Sequence, residues 1–480
     1  MDSSTQSIVK HSINGVVALI SKTVILEIFF GATSIIIFSV LTQAEVGLYA
    51  VVISIQRVIS FVTDFGFGAA LVQKKDEITV KDLHTTFTLQ AALTFGIFLL
   101  TLILRAPLVS FFHLGKEGYT LLLVLVFTIF LSSFKVIPSI LLERKIHFHK
   151  LIIPQTVETI AFNVILLALV LNHFGINSYT WAFLVSSIIS IPVYYFVSPW
   201  EIGVGIHKES VTHLKFGLQF QAKNVLATVK DDFITVILAK FLSFTQIGFI
   251  GFAQNLAFYP YRYFVDSVTR VTFSTYARMQ GDLNLLRKTI EKSLFFVSLI
   301  MFPVLIGLIV TAPYIIEFFP RWNGKWEPAY LSLVFFALNA MVSSLSGILV
   351  NVLDSNGKVK STLRLMGIWT TLTWVLTFLF ISIWGYNGVA FASFVVTLTI
   401  FYTVYLVKQI VDFSMLKSIY QPLISAVVMG VGVYLLSKVF ATNLITLVVV
   451  SGVGAIIYLS IMYVMIGKEI IQDIKLVLKR

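Results

Sequence analysis

Cysteine is absent from the 480-residue chain, so disulfides, thiolate nucleophiles and thiolate metal sites are excluded. Charge is scarce too. Only 12% of residues are Asp, Glu, Lys or Arg, where soluble domains carry about 25%. The apolar share is 58% and the mean hydropathy is +0.92. Soluble globular, disordered and coiled-coil classes are thereby excluded. The phosphate-loop, HExxH and GxSxG patterns are missing. Asp231-Asp232 resembles half a metal site, but nothing supplies the other half. No enzyme, no metal and no cofactor is expected. The net charge of +12 is explained by loop asymmetry in a membrane protein, so nucleic acid is not expected as a partner.

What fills the sequence is long apolar runs. They cover approximately 14–40, 46–73, 84–105, 119–142, 151–172, 179–200, 213–240, 247–275, 289–313, 328–353, 363–384, 388–408, 421–440 and 443–467. Each is long enough for a spanning helix, and none alternates like an outer-membrane barrel strand. The first run is too long for a signal-peptide core and reads as an uncleaved span. The expected fold is an all-α polytopic membrane protein of about 14 transmembrane helices. With the N-terminus inside, the inner segments hold 22 Lys and Arg, against six outside: Arg105, Lys116, Lys240, Arg321, Lys325 and Lys438. That asymmetry predicts both termini in the cytoplasm.

The chain repeats itself weakly. At an offset of 201, Lys22, Ile36, Leu41 and Gly47 fall on Lys223, Ile237, Leu242 and Gly248. At an offset of 210, Phe174-Gly175-Ile176-Asn177 faces Trp384-Gly385-Tyr386-Asn387, and Ala182 faces Ala392. The drift predicts a longer loop in the second half, around 313–328. Two pseudo-symmetric six-helix lobes are expected, 1–203 and 204–412, with a C-terminal helix pair and basic tail over 413–480. A six-span repeat keeps its orientation, and transporters of that design carry substrate between the repeats.

Thirteen charged residues lie inside the runs, away from their ends: Lys22, Glu27, Arg57, Asp64, Lys135, Glu158, Lys223, Lys230, Asp231, Asp232, Arg262, Asp266 and Arg270. Each costs about 2.5–3.5 kcal/mol at a helix centre, so most must face a wet cavity or one another. Eleven of the thirteen sit in spans 1, 2, 7 and 8, which points to a cavity lined by those helices. Gln219, Lys223 and Lys230 share one stripe, and Arg262, Asp266 and Arg270 step by four. Arg and Lys in such number suit an anion, with Arg adapted to phosphate. The competing reading is salt bridging along Arg262, Asp266 and Arg270. Lys135 is expected to snorkel to the inner surface. Pro260 should kink span 8. Tyr beside Arg in Tyr259-Pro260-Tyr261-Arg262-Tyr263-Phe264 could stack on sugar rings or simply pack. The basic loop Glu143 to Lys150 is expected to meet anionic headgroups. Glycine pairs Gly430/Gly432 and Gly452/Gly454 are expected to allow close packing.

Several stretches carry a family likeness: Glu45-Val46-Gly47-Leu48-Tyr49-Ala50, Asp64 through Asp76, Leu142 through Phe148, Ile247-Gly248-Phe249 with Tyr259-Pro260, and Asn356-Gly357-Lys358. On these the chain resembles the Wzx-type polysaccharide and O-antigen flippases of the multidrug/oligosaccharidyl-lipid/polysaccharide exporter superfamily. The resemblance implies an alternating-access flippase for undecaprenyl-pyrophosphate-linked oligosaccharide repeat units in a bacterial cytoplasmic (inner) membrane. Such proteins serve synthesis of O-antigen, capsule or exopolysaccharide. Cavity arginines of spans 1, 2 and 8 hold the pyrophosphate in the similar lipid II flippases. Arg57 and Arg262 are the nearest matches, while span 1 offers Lys22.

The expected substrate-binding set is therefore Lys22, Arg57, Lys223, Arg262 and Arg270. The expected coupling or gating set is Glu27, Asp64, Lys230, Asp231, Asp232 and Asp266, with a proton or sodium as coupling ion. Membrane lipids and polysaccharide polymerase machinery are the expected partners. The alternatives are a cation-coupled drug exporter, which should have an anionic cavity, and a membrane polymerase or ligase, which should have a large external loop.

Overall fold

The computed structural model describes residues 31, 33–63, 71, 76–145, 147–207, 210 and 229–478, with backbone alone at 62, 148, 230, 231, 274 and 467–478. Helix is the only extended secondary structure among them. Eleven described helices are long and apolar enough to cross a membrane, and they coincide with expected spans 2–6 and 9–14. Spans 1 and 7 lie largely outside the described residues. The chain is an all-α, multi-pass membrane protein. It divides into two compact units, the first ending at Gly248 and the second starting at Phe249.

In the first unit, residues 33–40 are helical and lead into α1 (Gln43–Thr63). Then follow α2 (Val80–Ile103), α3 (Arg105–Phe112), α4 (Gly115–Arg144), α5 (Phe148–Leu171) and α6 (Asn177–Val197). A π-helical turn, Val229–Phe233, precedes the short α7 (Ile234–Leu238), and α8 (Phe244–Pro260) begins the passage to the second unit. Helix α4 packs on α2 and α6, and α5 on α6. Leu121, Leu122, Leu125 and Ile137 of α4 are fully buried there.

Local capping explains where two of these helices start. Thr42 and Glu45 form a reciprocal box at α1. The Thr42 backbone N–H donates to Glu45 Oε2 at 2.8 Å, and the Glu45 N–H to Thr42 Oγ1 at 3.2 Å. Ser243 and Gln246 do the same at α8, at 3.0 and 3.3 Å. A Ser/Thr followed three residues later by Glu/Gln satisfies two orphan N–H groups at once. The two boxes lie 201 residues apart, the offset of the sequence repeat.

In the second unit the order is a π-helical turn (Tyr261–Val265), α9 (Asp266–Arg278), α10 (Leu283–Phe318), α11 (Tyr330–Ser355), α12 (Val359–Trp384), α13 (Asn387–Thr397), α14 (Ile400–Lys408), α15 (Met415–Phe440) and α16 (Leu444–Leu478). Helices α13 and α14 together make one span. The loop joining α10 to α11 starts only after Phe318, so Pro313 lies within α10 rather than in a loop. That loop buries Trp322 and Trp326, with Phe252 stacked on Trp326 at 4.4 Å. Gly430 and Gly454 press against Ile306 and Val433, where an added Cβ would come within 2.6 and 2.3 Å. Gly432 is looser, and Gly452 faces open space. Close packing thus accounts for two of those four glycines.

The corner match of the repeat is structural as well. Gly175 and Gly385 both hold positive φ, 58° and 59°, a conformation glycine adopts without a Cβ penalty. Two residues on, Asn177 donates to Glu117 Oε1 at 3.3 Å, and Asn387 accepts from Ser332 Oγ at 2.8 Å. Each asparagine ties its corner to the first turns of α4 or α11 within its own unit.

Candidate functional site

The structure sorts the expected intramembrane charges by surroundings. Lys135 is 8% exposed, and its Nζ donates to Glu158 Oε1 at 2.6 Å. Ser187 Oγ lies 3.4 Å from the same carboxylate oxygen. Lys135 lies about 14 Å from the Arg144 end of α4. Glu158 and Ser187 are each about 15 Å from the corresponding ends of α5 and α6, at 1.5 Å per residue. All three therefore sit near the middle of a core roughly 30 Å thick. Lys135 does not snorkel; it neutralises Glu158 at depth. A signal was present in the sequence. The two residues are nearly equidistant from the turn at 145–147, and an antiparallel hairpin places such positions level.

Arg57 behaves differently. It projects from α1 with 62% of its side chain exposed, and its Nη1 lies 3.4 Å from Asp232 Oδ1. Asp232 belongs to the π-helical turn Val229–Phe233, which also holds Lys230 and Asp231. A π-turn widens the helix by one residue per turn and is frequent at functional sites. Of the expected site residues whose side chains are described, Arg57 and Asp232 are brought into contact. Lys22, Glu27, Asp64 and Lys223 lie outside the described residues. Lys230 and Asp231 are described in backbone only.

A second π-turn, Tyr261–Val265, holds Arg262. Pro260 sits immediately before it. Without an N–H, proline cannot donate to the preceding turn, and the expected kink takes the form of this π-turn. Arg262, Asp266 and Arg270 follow at helical spacing, and all three are exposed. Among the described residues none of them closes a salt bridge within 4.0 Å. The opposite face of α9 is fixed to α11. Asn351 Nδ2 donates to the Thr269 carbonyl at 2.7 Å and to Thr272 Oγ1 at 2.8 Å, and Gln280 donates to the Ser355 carbonyl. The tyrosines divide between roles. Tyr259 and Tyr263 meet edge to face at 4.4 Å, while Tyr261 packs near Phe258 and over Gly347.

Lys145 and Lys150 of the basic loop are exposed, whereas Arg144 is tied to backbone. It donates to the carbonyl of Leu71 at 2.9 Å and to that of Asp76. The two sequence stretches that carry the family likeness on either side of α2 and α4 are thus joined by one arginine.

Residues 36–331 match the family model described as polysaccharide biosynthesis protein. The chain belongs to that family. Among curated members of similar sequence, it is 24% identical over 309 residues to the lipopolysaccharide biosynthesis protein WzxC of Escherichia coli K12, covering 59% of this chain and 58% of WzxC. It is 22% identical over 306 residues to the teichuronic acid biosynthesis protein TuaB of Bacillus subtilis 168, covering 62% and 60%. The chain spans about three fifths of the length of the curated relatives it matches. A solved structure of the lipid II flippase MurJ in an inward closed conformation matches with TM-score 0.76 at 17% identity, over 94% of this chain and all of MurJ. The chain thus shares the MurJ fold.

Proposed function

We propose that the protein is a flippase for undecaprenyl-pyrophosphate-linked oligosaccharide repeat units, working by alternating access in a bacterial cytoplasmic membrane with both termini cytoplasmic. Its product would feed surface polysaccharide synthesis, alongside polymerase machinery. The lobes would be 1–203 and 204–412, with 413–480 as an added pair. The observation that carries this reading is the contrast among cations. Lys135 is buried and neutralised, whereas Arg57, Arg262 and Arg270 are exposed on their helices. Exposed arginines in membrane-spanning helices are tolerated in a wet cavity and not against acyl chains. Their fork geometry suits a pyrophosphate. The family membership supports a polysaccharide precursor as the cargo.

In this reading Lys22, Arg57, Lys223, Arg262 and Arg270 neutralise the pyrophosphate. Arg57 and Asp232 form a pair that opens when substrate enters. Glu27, Asp64, Lys230, Asp231 and Asp266 complete the coupling and gating set, with a proton or sodium compensating the exported anion. The experiment is complementation of a deletion strain, with lipid-linked glycan measured in each leaflet. Arg57→Ala and Arg262→Ala should insert normally, yet leave complete repeat units on the cytoplasmic leaflet and surface polymer missing. Normal export in both variants refutes the site. Short unpolymerised glycan outside, in the deletion strain, refutes the flippase itself.

A further inference from the structure

The segment after α6 carries a pattern the flippase reading does not use. Residues 201–207 read Glu-Ile-Gly-Val-Gly-Ile-His and are not helical. Ile202, Val204 and Ile206 are 52%, 80% and 62% exposed. The intervening Gly203, Gly205 and His207 are all half-buried. Alternation of this kind belongs to an extended chain with two unlike faces.

The inner face is held by α2. The Gly205 N–H donates to Thr88 Oγ1 at 3.0 Å, and the His207 N–H to Thr85 Oγ1 at 3.1 Å. Ser210 Oγ donates to Asp82 Oδ1 at 2.7 Å. The order 205, 207, 210 against 88, 85, 82 shows the segment running antiparallel to the helix, on one ladder of polar side chains spaced by three. Gly203 lies against His84, and a Cβ there would come within 2.1 Å of the imidazole. Trp200 anchors the near end, packing edge-on against Phe87 at 5.5 Å.

Depth gives the ladder its meaning. Thr85 and Thr88 lie roughly 8 and 12 Å along α2 from Val80, and α2 is a spanning helix. The segment therefore re-enters the bundle from the basic end, where Lys81, Lys145 and Lys150 are exposed. Val80 and Phe196, in the helix-end turns of α2 and α6, are likewise 65% and 90% exposed. Irregular backbone at such depth is tolerated only where its polar groups find partners. The two threonine hydroxyls supply acceptors where a neighbouring strand would otherwise be needed.

We propose that residues 200–207 are a re-entrant strap whose Ile202, Val204 and Ile206 edge is inserted among acyl chains of the adjacent leaflet, and that Thr85 and Thr88 hold it there. The occupant of the apolar edge is lipid. The strap would fix the segment between spans 6 and 7 to the bilayer rather than leave it in water.

The test uses the full chain, whose lack of cysteine makes Val204→Cys the sole thiol. Spin-labelled protein is placed in vesicles of mixed zwitterionic and anionic phospholipid. Collision with oxygen and with a water-soluble nickel chelate is then measured. Val164→Cys on the exposed face of α5 serves as the lipid reference, and Glu77→Cys as the aqueous one. The label at 204 should match the lipid reference, with nickel collision roughly tenfold below that at 77. Nickel collision equal to that at 77 overturns the insertion, whether the edge then faces water or a soluble partner. Thr85→Val with Thr88→Val should raise nickel collision at 204 and leave the value at 164 unchanged, while Thr85→Ser with Thr88→Ser should keep 204 protected. Continued protection at 204 in the valine variant overturns the role of the ladder.

Discussion

Gly47 of α1 and Gly248 of α8 face each other with no room for a side chain on either. A Cβ at Gly47 would lie 1.7 Å from the Phe244 carbonyl oxygen, and one at Gly248 would lie 2.0 Å from the Gln43 carbonyl oxygen. The contact is reciprocal. Gln43 and Phe244, like Gly47 and Gly248, are 201 residues apart, so each repeat supplies a glycine and receives it on the same carbonyl of the other.

Gly47→Ala and Gly248→Ala should each destabilise the protein, because a methyl group meets backbone rather than a movable side chain. Overpacking costs typically about 1–3 kcal/mol. Thermal unfolding in detergent should show a lower midpoint for both. Gly452→Ala, at a position with open space, should leave it unchanged. Equal behaviour of all three would remove the steric argument.

Lys135→Met alone strands Glu158, and Glu158→Gln alone strands Lys135. Removing one partner of a buried ion pair costs on the order of 3–5 kcal/mol, whereas replacing both with apolar groups is often neutral. With the Glu158 side chain 29% exposed, its loss should fall toward the lower end. The double variant Lys135→Met with Glu158→Leu should recover most of the loss, read as a double-mutant cycle of unfolding midpoints. Additive losses would show that the pair does not act as a unit.

The Arg57–Asp232 pair should contribute little to stability, since exposed pairs give about 0–1 kcal/mol. Exchanging the charges, Arg57→Asp with Asp232→Arg, should preserve insertion and the unfolding midpoint but not restore export. Full export by the exchanged protein would assign Arg57 to salt bridging alone.

Arg144→Ala should lower the unfolding midpoint, because hydrogen bonds from a charged donor are worth roughly 1.5–3 kcal/mol and the carbonyls of Leu71 and Asp76 both lose theirs. Arg144→Lys should recover only part of the loss, since an ammonium lacks the planar fork that reaches both. Complete recovery by lysine would reduce the role to charge.

Much of the fold was legible in the sequence because the bilayer imposes it. Helices must satisfy their own backbone in hydrocarbon, so apolar runs of sufficient length marked eleven spans, most of their ends to within six residues. Glycine and asparagine recur at the two corners because a positive φ and a side-chain tether restrict residue choice. The spacing about the turn between α4 and α5 could pair Lys135 with Glu158. Arg57 with Asp232, and Arg144 with two carbonyls, join segments distant in sequence, and only packing brings them together. The same holds for the strap. Its alternation is visible in Ile202-Gly203-Val204-Gly205-Ile206, but α2 alone decides which face is inward. Composition and length fixed what the chain must bury in the membrane; the tertiary contacts fixed which of its charges are neutralised within the protein.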